Sequence, residues 1–204
     1  KYWDSAGKKG LEDSKLFEVE PNSVEHKAIT LEFSKTLPNA TIDLLERVEN
    51  GYLQEAFLQQ AKTLESQIGP SEYNSKTMKQ MLFHGTTAVD AIVNSTDGHG
   101  FLPLLSGARV GAIYGNGTYF ARDASYSNAG YANVLATGQK QLIVAEVLVG
   151  RWTKGRQGMN TYPLLPGELY KKYNSLVDNV VNPSIFVVQH SNEAYPAYLL
   201  TYHT

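Results

Sequence analysis

The chain contains no cysteine, which excludes a disulfide framework and any Cys-ligated zinc. Long hydrophobic runs are missing too. The longest apolar stretch, Leu142 to Val149, is interrupted by Glu146 and falls far short of the roughly 20 residues that a membrane-spanning helix requires. No charge of one sign dominates: Lys plus Arg total 18, Asp plus Glu total 20, and the formal net charge is -2. Without a basic run there is no electrostatic footprint for a phosphate backbone, so neither nucleic acid nor membrane is an expected partner.

Internal repeats and low-complexity linkers are absent as well. So are a Walker loop, a GxGxxG turn after a strand, an HExxH helix and a GxSxG elbow. The five histidines, at positions 26, 84, 99, 190 and 203, share no i, i+4 spacing, and no metal site is expected. No signal peptide opens the chain, and Lys1 stands where an initiator Met would, so a catalytic or binding unit cut from a longer protein is the expectation. The sequons Asn39-Ala40-Thr41 and Asn94-Ser95-Thr96 are read as chance matches.

What remains is a chain of 204 residues, 42% hydrophobic, sufficient for one core and one domain spanning residues 1–204. The first third has helical texture. Asn22-Ser23-Val24-Glu25 has the form of a helix start, with Asn22 as cap, Glu25 reaching back, and Val24, Ala28 and Leu31 at helical spacing. Residues Thr41 to Glu49, ahead of the Asn50-Gly51 turn, suit neither period cleanly and are read as a strand. Leu53, Phe57, Ala61 and Leu64 predict a second helix over Tyr52 to Gln67, ended by Gly69-Pro70.

From Met81 onward the texture changes to short apolar and β-branched runs punctuated by glycine: Met81 to Phe83, Thr118 to Phe120, Leu142 to Val149, Ser184 to Gln189 and Tyr198 to Tyr202. These predict a folded antiparallel sheet in an α+β domain, since helices do not alternate regularly with the strands.

Two glycine-rich segments carry the chemistry. Leu82-Phe83-His84-Gly85-Thr86-Thr87 places a histidine at a strand end, followed by a residue without Cβ whose backbone a flat amide can approach. Tyr114-Gly115-Asn116-Gly117-Thr118-Tyr119-Phe120-Ala121, followed by Ser125-Tyr126-Ser127 and Tyr131, offers hydroxyls and π faces together. Alone, His84 suits a structural histidine and Gly-x-Gly-x-Tyr suits a hairpin turn. In this order and separation, the two segments resemble the signature of the poly(ADP-ribose) polymerase family. Lys154-Gly155-Arg156, Phe186-Val187-Val188 and Ala194-Tyr195-Pro196-Ala197-Tyr198-Leu199 extend the resemblance toward its macrodomain-associated, mono-ADP-ribosylating branch, over about Leu16 to Tyr202.

The resemblance implies an ADP-ribosyltransferase fold, a split antiparallel β-sheet core with flanking helices. It implies NAD as substrate, protein acceptors as partners, and an intracellular (cytoplasmic or nuclear) monomeric domain. Gly85 would pair with the nicotinamide carboxamide, and Ser127 would bond the same group. Tyr131 would stack on the ring, with Tyr126 as its competitor, and Tyr119 would cover the other side. His84 and Thr86 would hold the adenosine ribose. The loop Leu102 to Ile113 would cover the donor, with Arg109 near the diphosphate.

One position departs from the polymerising members, which carry a glutamate where this chain has Leu199. Leucine neither accepts a hydrogen bond nor takes a proton, so chain elongation loses its base. First transfer survives, because nicotinamide is already an activated leaving group and the transition state needs placement and charge stabilisation. A carboxylate acceptor would bring its own negative charge, which makes acidic side chains the expected targets. Glu193 is a poor substitute acid, since Pro196 is expected to interrupt the strand between them. Glu168 and Asp178 are assigned to solvent.

Overall fold

A computed structural model describes residues 14–103 and 112–204. Its elements run β1 (Lys15–Glu18), α1 (Val24–Ser34), β2 (Thr41–Glu49), α2 (Gly51–Ile68), α3 (Ser75–Met78), β3 (Lys79–His84), α4 (Val89–Val93), β4 (Thr118–Ala121), α5 (Ala124–Asn128), β5 (Asn133–Val134), β6 (Lys140–Leu148), β7 (Trp152–Lys154), β8 (Ser175–Val177), β9 (Ile185–Val188) and β10 (Ala194–His203).

Among the described residues the strands form one ten-stranded sheet, ordered β1-β2-β10-β6-β3-β4-β9-β8-β7, with β5 paired to β6. Pairing is antiparallel except between β7 and β8. The split lies between β3 and β4, which share the single register pair Phe83↔Ala121. On either side of that joint the ladders are long: β3 keeps six pairs with β6 and β4 keeps four with β9. Two longer-paired half-sheets therefore meet at one register pair, next to the strand end at His84.

The two faces of the larger half bury different sets. On one, Phe33 and Ile29 of α1 pack on Leu45, Phe83, Leu142, Val144, Leu200 and Tyr202. On the other, Val89, Ile92 and Val93 of α4 share a cluster with Val48, Leu82, Phe101, Phe120, Ile143 and Leu199. Alternation along each strand sends neighbouring residues to opposite faces, so Leu199 and Leu200 belong to different cores.

The second predicted helix is found as α2, whose buried residues include Leu53, Phe57 and Leu64, and which ends at Gly69 with φ 89. The first differs in detail. Asn22 adopts φ 68, so the cap passes to Ser23, whose Oγ accepts from His26 N at 3.1 Å. Val24 and Leu31 face solvent at 76% and 63% exposure, while Glu25, Ile29 and Phe33 are the buried stripe. The inward face differs from the apolar spacing because it contains a carboxylate: Glu25 does not reach back to the cap but accepts from Arg47 Nη1 at 2.7 Å and from Tyr198 Oη at 2.8 Å. A buried ion pair satisfied on this scale makes charge compatible with a core-facing position.

Pro196 does not interrupt β10 either. It pairs in register with Ala145, and the slip falls just after it, between Pro196 and Tyr198. Pairing with β2 begins only at Tyr198, so among the described residues one side of the strand has no ladder partner at Pro196, where a missing N–H is tolerated.

Candidate active site

His84 ends β3 and faces β4 across the split. Its Nδ1 lies 2.8 Å from the carbonyl oxygen of Tyr119. A carbonyl only accepts, so Nδ1 carries the proton and Nε2 presents a lone pair. Burial holds the imidazole below its usual pKa despite that hydrogen bond, which keeps the ring neutral. Phe101 and Phe120 flank it, with ring centroids at 5.3 and 5.2 Å. Thr86 Oγ1 accepts from Ala88 N at 3.1 Å, which fixes the turn into α4 and leaves the hydroxyl proton to donate.

Gly85 is the point where backbone from two segments meets. A Cβ there would sit 2.6 Å from Tyr131 Cβ and 2.7 Å from the carbonyl oxygen of Ser127, so any larger residue would push the strand end and the α5 segment apart. Ser127, 3% exposed, donates from Oγ to the Phe83 carbonyl at 3.2 Å. That bond ties α5 to β3 two residues before Gly85, and it leaves the Ser127 oxygen two lone pairs.

Tyr119 comes from β4. Its hydroxyl donates to the Gly115 carbonyl at 2.7 Å and accepts from Tyr114 N at 3.0 Å, latching the turn that precedes its own strand. Gly115 makes that turn at φ +107, with no room for a Cβ beside Leu176 Cδ1 at 2.6 Å. Burial raises the Tyr119 phenol above its usual pKa, so it stays a neutral donor.

The two competing tyrosines are both present and stack on one another, with centroids 5.6 Å apart and planes inclined 16°. Tyr131 is the member in contact with Gly85, while Tyr126 is 41% exposed. The Tyr126 phenol is pushed up to about 12, first by burial and then by its hydrogen bond to Tyr131, with smaller effects from Tyr114 and Tyr119. Tyr114, Tyr119, Tyr126 and Tyr131 are thus close enough for their phenols to influence one another.

Leu199 is 4% exposed and packs in the cluster that holds Ile143, Phe101 and Phe120. It pairs with Ile143 of β6, and Ile143 pairs with His84. Leu199, Ile143 and His84 therefore form one cross-strand row on one face. Arg109 lies outside the described residues, as do residues 104–111 of the expected covering loop.

Three features escape sequence inspection. Phe101, which supports His84, lies in a loop with no periodic signal. Glu193 is buried and accepts from Tyr162 Oη at 2.6 Å and from the Gln189 and His190 amides at 3.1 and 3.0 Å. It clamps the turn before β10, and burial pushes its carboxyl up to about 7. Asp178 is likewise not a solvent residue: it accepts from the amides of Ser184 and Ile185 at 2.9 and 3.0 Å and from the Ser184 hydroxyl at 2.5 Å.

Among the described residues no group of His, Cys, Asp and Glu could hold a metal ion, and no helix is long and apolar enough to cross a membrane. A parted antiparallel sheet with a His-Gly strand end facing a Ser-Tyr helix segment defines the class. The chain belongs to the family of poly(ADP-ribose) polymerase catalytic domains, whose model matches residues 23–204. Its relatives include the protein mono-ADP-ribosyltransferases PARP12 and PARP11 of Mus musculus and PARP14 of Homo sapiens. Identity to PARP12 is 33% over 205 residues, covering 100% of this chain and 27% of the relative. For PARP11 it is 31% over 208 residues, covering 92% and 60%, and for PARP14 33% over 193 residues, covering 92% and 10%. This chain thus spans only part of each relative's length.

Proposed function

We propose that this chain is a mono-ADP-ribosyltransferase domain that breaks the glycosidic bond between nicotinamide and ribose in NAD and passes one ADP-ribose to a protein acceptor. The observation that carries this reading is the meeting of Gly85, Ser127 and Tyr131 at the strand end occupied by His84. A flat carboxamide entering there finds a backbone N–H and C=O at Gly85, a hydroxyl at Ser127 and an aromatic face at Tyr131. His84 Nε2 would accept from an adenosine ribose hydroxyl, and Thr86 would donate to the same sugar. Arg109 and the loop around it would meet the diphosphate.

Bond cleavage follows from placement. The nicotinamide ring carries a positive charge that the departing electron pair neutralises, and the protein holds ring and ribose in fixed relation while the acceptor attacks C1 of that ribose. Leu199 supplies no carboxylate to activate a second ADP-ribose hydroxyl, which limits the product to one unit. The domain is taken to work inside the cell, where NAD is available.

Incubation with NAD labelled on the adenine side tests the reading. Nicotinamide release together with discrete single-unit protein labelling is the expected result. Binding without release would favour an inactive NAD-binding or peptide-binding relative of the same fold, and a ladder of high-mass adducts would establish a polymerase.

A further inference from the structure

The Tyr119 phenol is held by two groups on the turn ahead of its own strand, the Gly115 carbonyl and the Tyr114 amide. The position of that turn therefore sets the position of the ring. Gly115 and Gly117 flank its middle residue, and glycine gives a turn little stiffness of its own. Asn116, between them, is tied from outside. Its N–H donates to the Met159 carbonyl at 2.8 Å, and its carbonyl accepts from Gln189 Nε2 at 2.9 Å.

Gln189 follows β9 directly, and its amide nitrogen also donates to the Met159 carbonyl, at 3.3 Å. A side-chain amide nitrogen carries two protons, so one goes to each carbonyl. The same two acceptors settle the orientation of the amide, because its oxygen could serve neither of them. Gln189 thus staples the glycine turn to the neighbouring turn over residues 156–159, which closes with Met159 N–H on the Arg156 carbonyl.

Glu193 in turn holds Gln189. The backbone N–H of Gln189 is shared between Tyr162 Oη at 2.7 Å and Glu193 Oε2 at 3.1 Å, and Tyr162 Oη donates to the same carboxylate oxygen at 2.6 Å. Glu193 is 5% exposed and Tyr162 6%, so the node is closed to water, where hydrogen bonds are stronger than in solvent. Tyr162 belongs to the buried cluster against which Tyr114, Tyr119 and Met159 pack. No step of the reaction above uses this carboxylate.

Resting on the donor-site reading above, we infer that Gln189 and Glu193 are positioning residues for NAD. Glu193 fixes the Gln189 backbone, the Gln189 amide fixes the Asn116 turn, and the turn holds the Tyr119 ring over the nicotinamide site. Neither side chain touches the substrate. Both act through the Tyr119 hydroxyl, so removing that hydroxyl uncouples them from binding.

The test is a double-mutant cycle on this protein, with NAD as the varied substrate and nicotinamide release as the readout. Gln189→Leu keeps the bulk and removes both donors. It is expected to raise KM for NAD by about tenfold, the scale of one or two lost hydrogen bonds, with kcat changed by less than about twofold, the signature of lost binding alone. Tyr119→Phe keeps the ring, loses its anchor to the turn, and should raise KM by a similar factor. In that background Gln189→Leu should change KM by less than about twofold. Glu193→Gln keeps a carbonyl oxygen for Tyr162 and the amides and should behave as wild type, whereas Glu193→Ala should match Gln189→Leu. Gln189 is partly exposed, so Gln189→Leu carries the test if Glu193→Ala does not fold. Multiplicative effects of Gln189→Leu and Tyr119→Phe, or an unchanged KM in folded Gln189→Leu, overturn the inference while leaving the donor site standing. Failure of the wild type to bind NAD overturns both.

Discussion

His84 Nδ1 donates to the Tyr119 carbonyl at 2.8 Å, and this bond bridges β3 and β4 beside the single register pair that joins the two half-sheets. It settles the tautomer of the imidazole, so the side chain that would read the ribose also helps to hold the split closed. Role and scaffold are therefore coupled at this residue. In the fold His84 packs between Phe101 and Phe120.

His84→Ala should weaken NAD binding by at least about tenfold in calorimetry and also lower stability by about 2 kcal/mol, combining a lost hydrogen bond with lost packing. Because burial depresses the native pKa, the unfolded chain binds the extra proton first. Stability should then fall as pH drops below about 6.5, the unfolded imidazole value. His84→Phe should flatten that part of the pH profile in urea titrations; an unaltered slope would show that the acid sensitivity lies elsewhere.

Tyr131 and Tyr126 can be separated despite their stacking. Tyr131→Ala removes the ring beside Gly85 and should raise the NAD dissociation constant by about tenfold or more. Tyr126→Ala removes one stacking neighbour, worth roughly 0.5–1.5 kcal/mol, and should raise it by a smaller factor. The opposite ranking would transfer the nicotinamide contact to Tyr126.

Glu193 gives a pH effect of the other sign. Its carboxyl is pushed up to about 7 in the native state from an ordinary 4.5, so the folded protein holds a proton that the unfolded chain releases. The stabilisation is complete below about 4.5 and is lost as pH rises through about 7, amounting to on the order of 3 kcal/mol. Glu193→Gln, which can still accept from Tyr162 and the two amides, should abolish that decline. Denaturant titrations at pH 5 and pH 8 would show equal stability for the variant apart from contributions shared with the wild type.

Leu199→Glu should not produce a polymerase. The new carboxylate would enter a site that is 4% exposed and would face Glu46 in register, so burial and repulsion both act against it. A melting temperature several degrees lower and single-unit products on a gel are expected. Long polymer from this one change would show that an acceptor groove for ADP-ribose already exists.

Much of the candidate site was legible in the chain because its residues lie in two short segments, 82–87 and 114–131, whose glycines and tyrosines are unusual enough in order and spacing to stand out. Gly85 is the clearest case of a close approach, although the groups that come against it in the fold are the chain's own Tyr131 and Ser127. Thr41 to Glu49 was legible as a strand despite its mixed period. The orientation of α1 was not, since its inward stripe includes Glu25, and no local pattern announces that Arg47 and Tyr198 will satisfy that carboxylate.

The sequence by itself determined which residues make up the candidate site and the positions of most long elements, because these depend on residue identity and local periodicity. Only tertiary structure decided which face each strand presents, that Pro196 sits where β10 lacks one neighbour, and that Glu193 and Asp178 are clamps. It alone brought Gln189 to the turn that holds Tyr119. Cross-strand register depends on how distant segments share a core, and a shift of one residue would send every side chain to the opposite face.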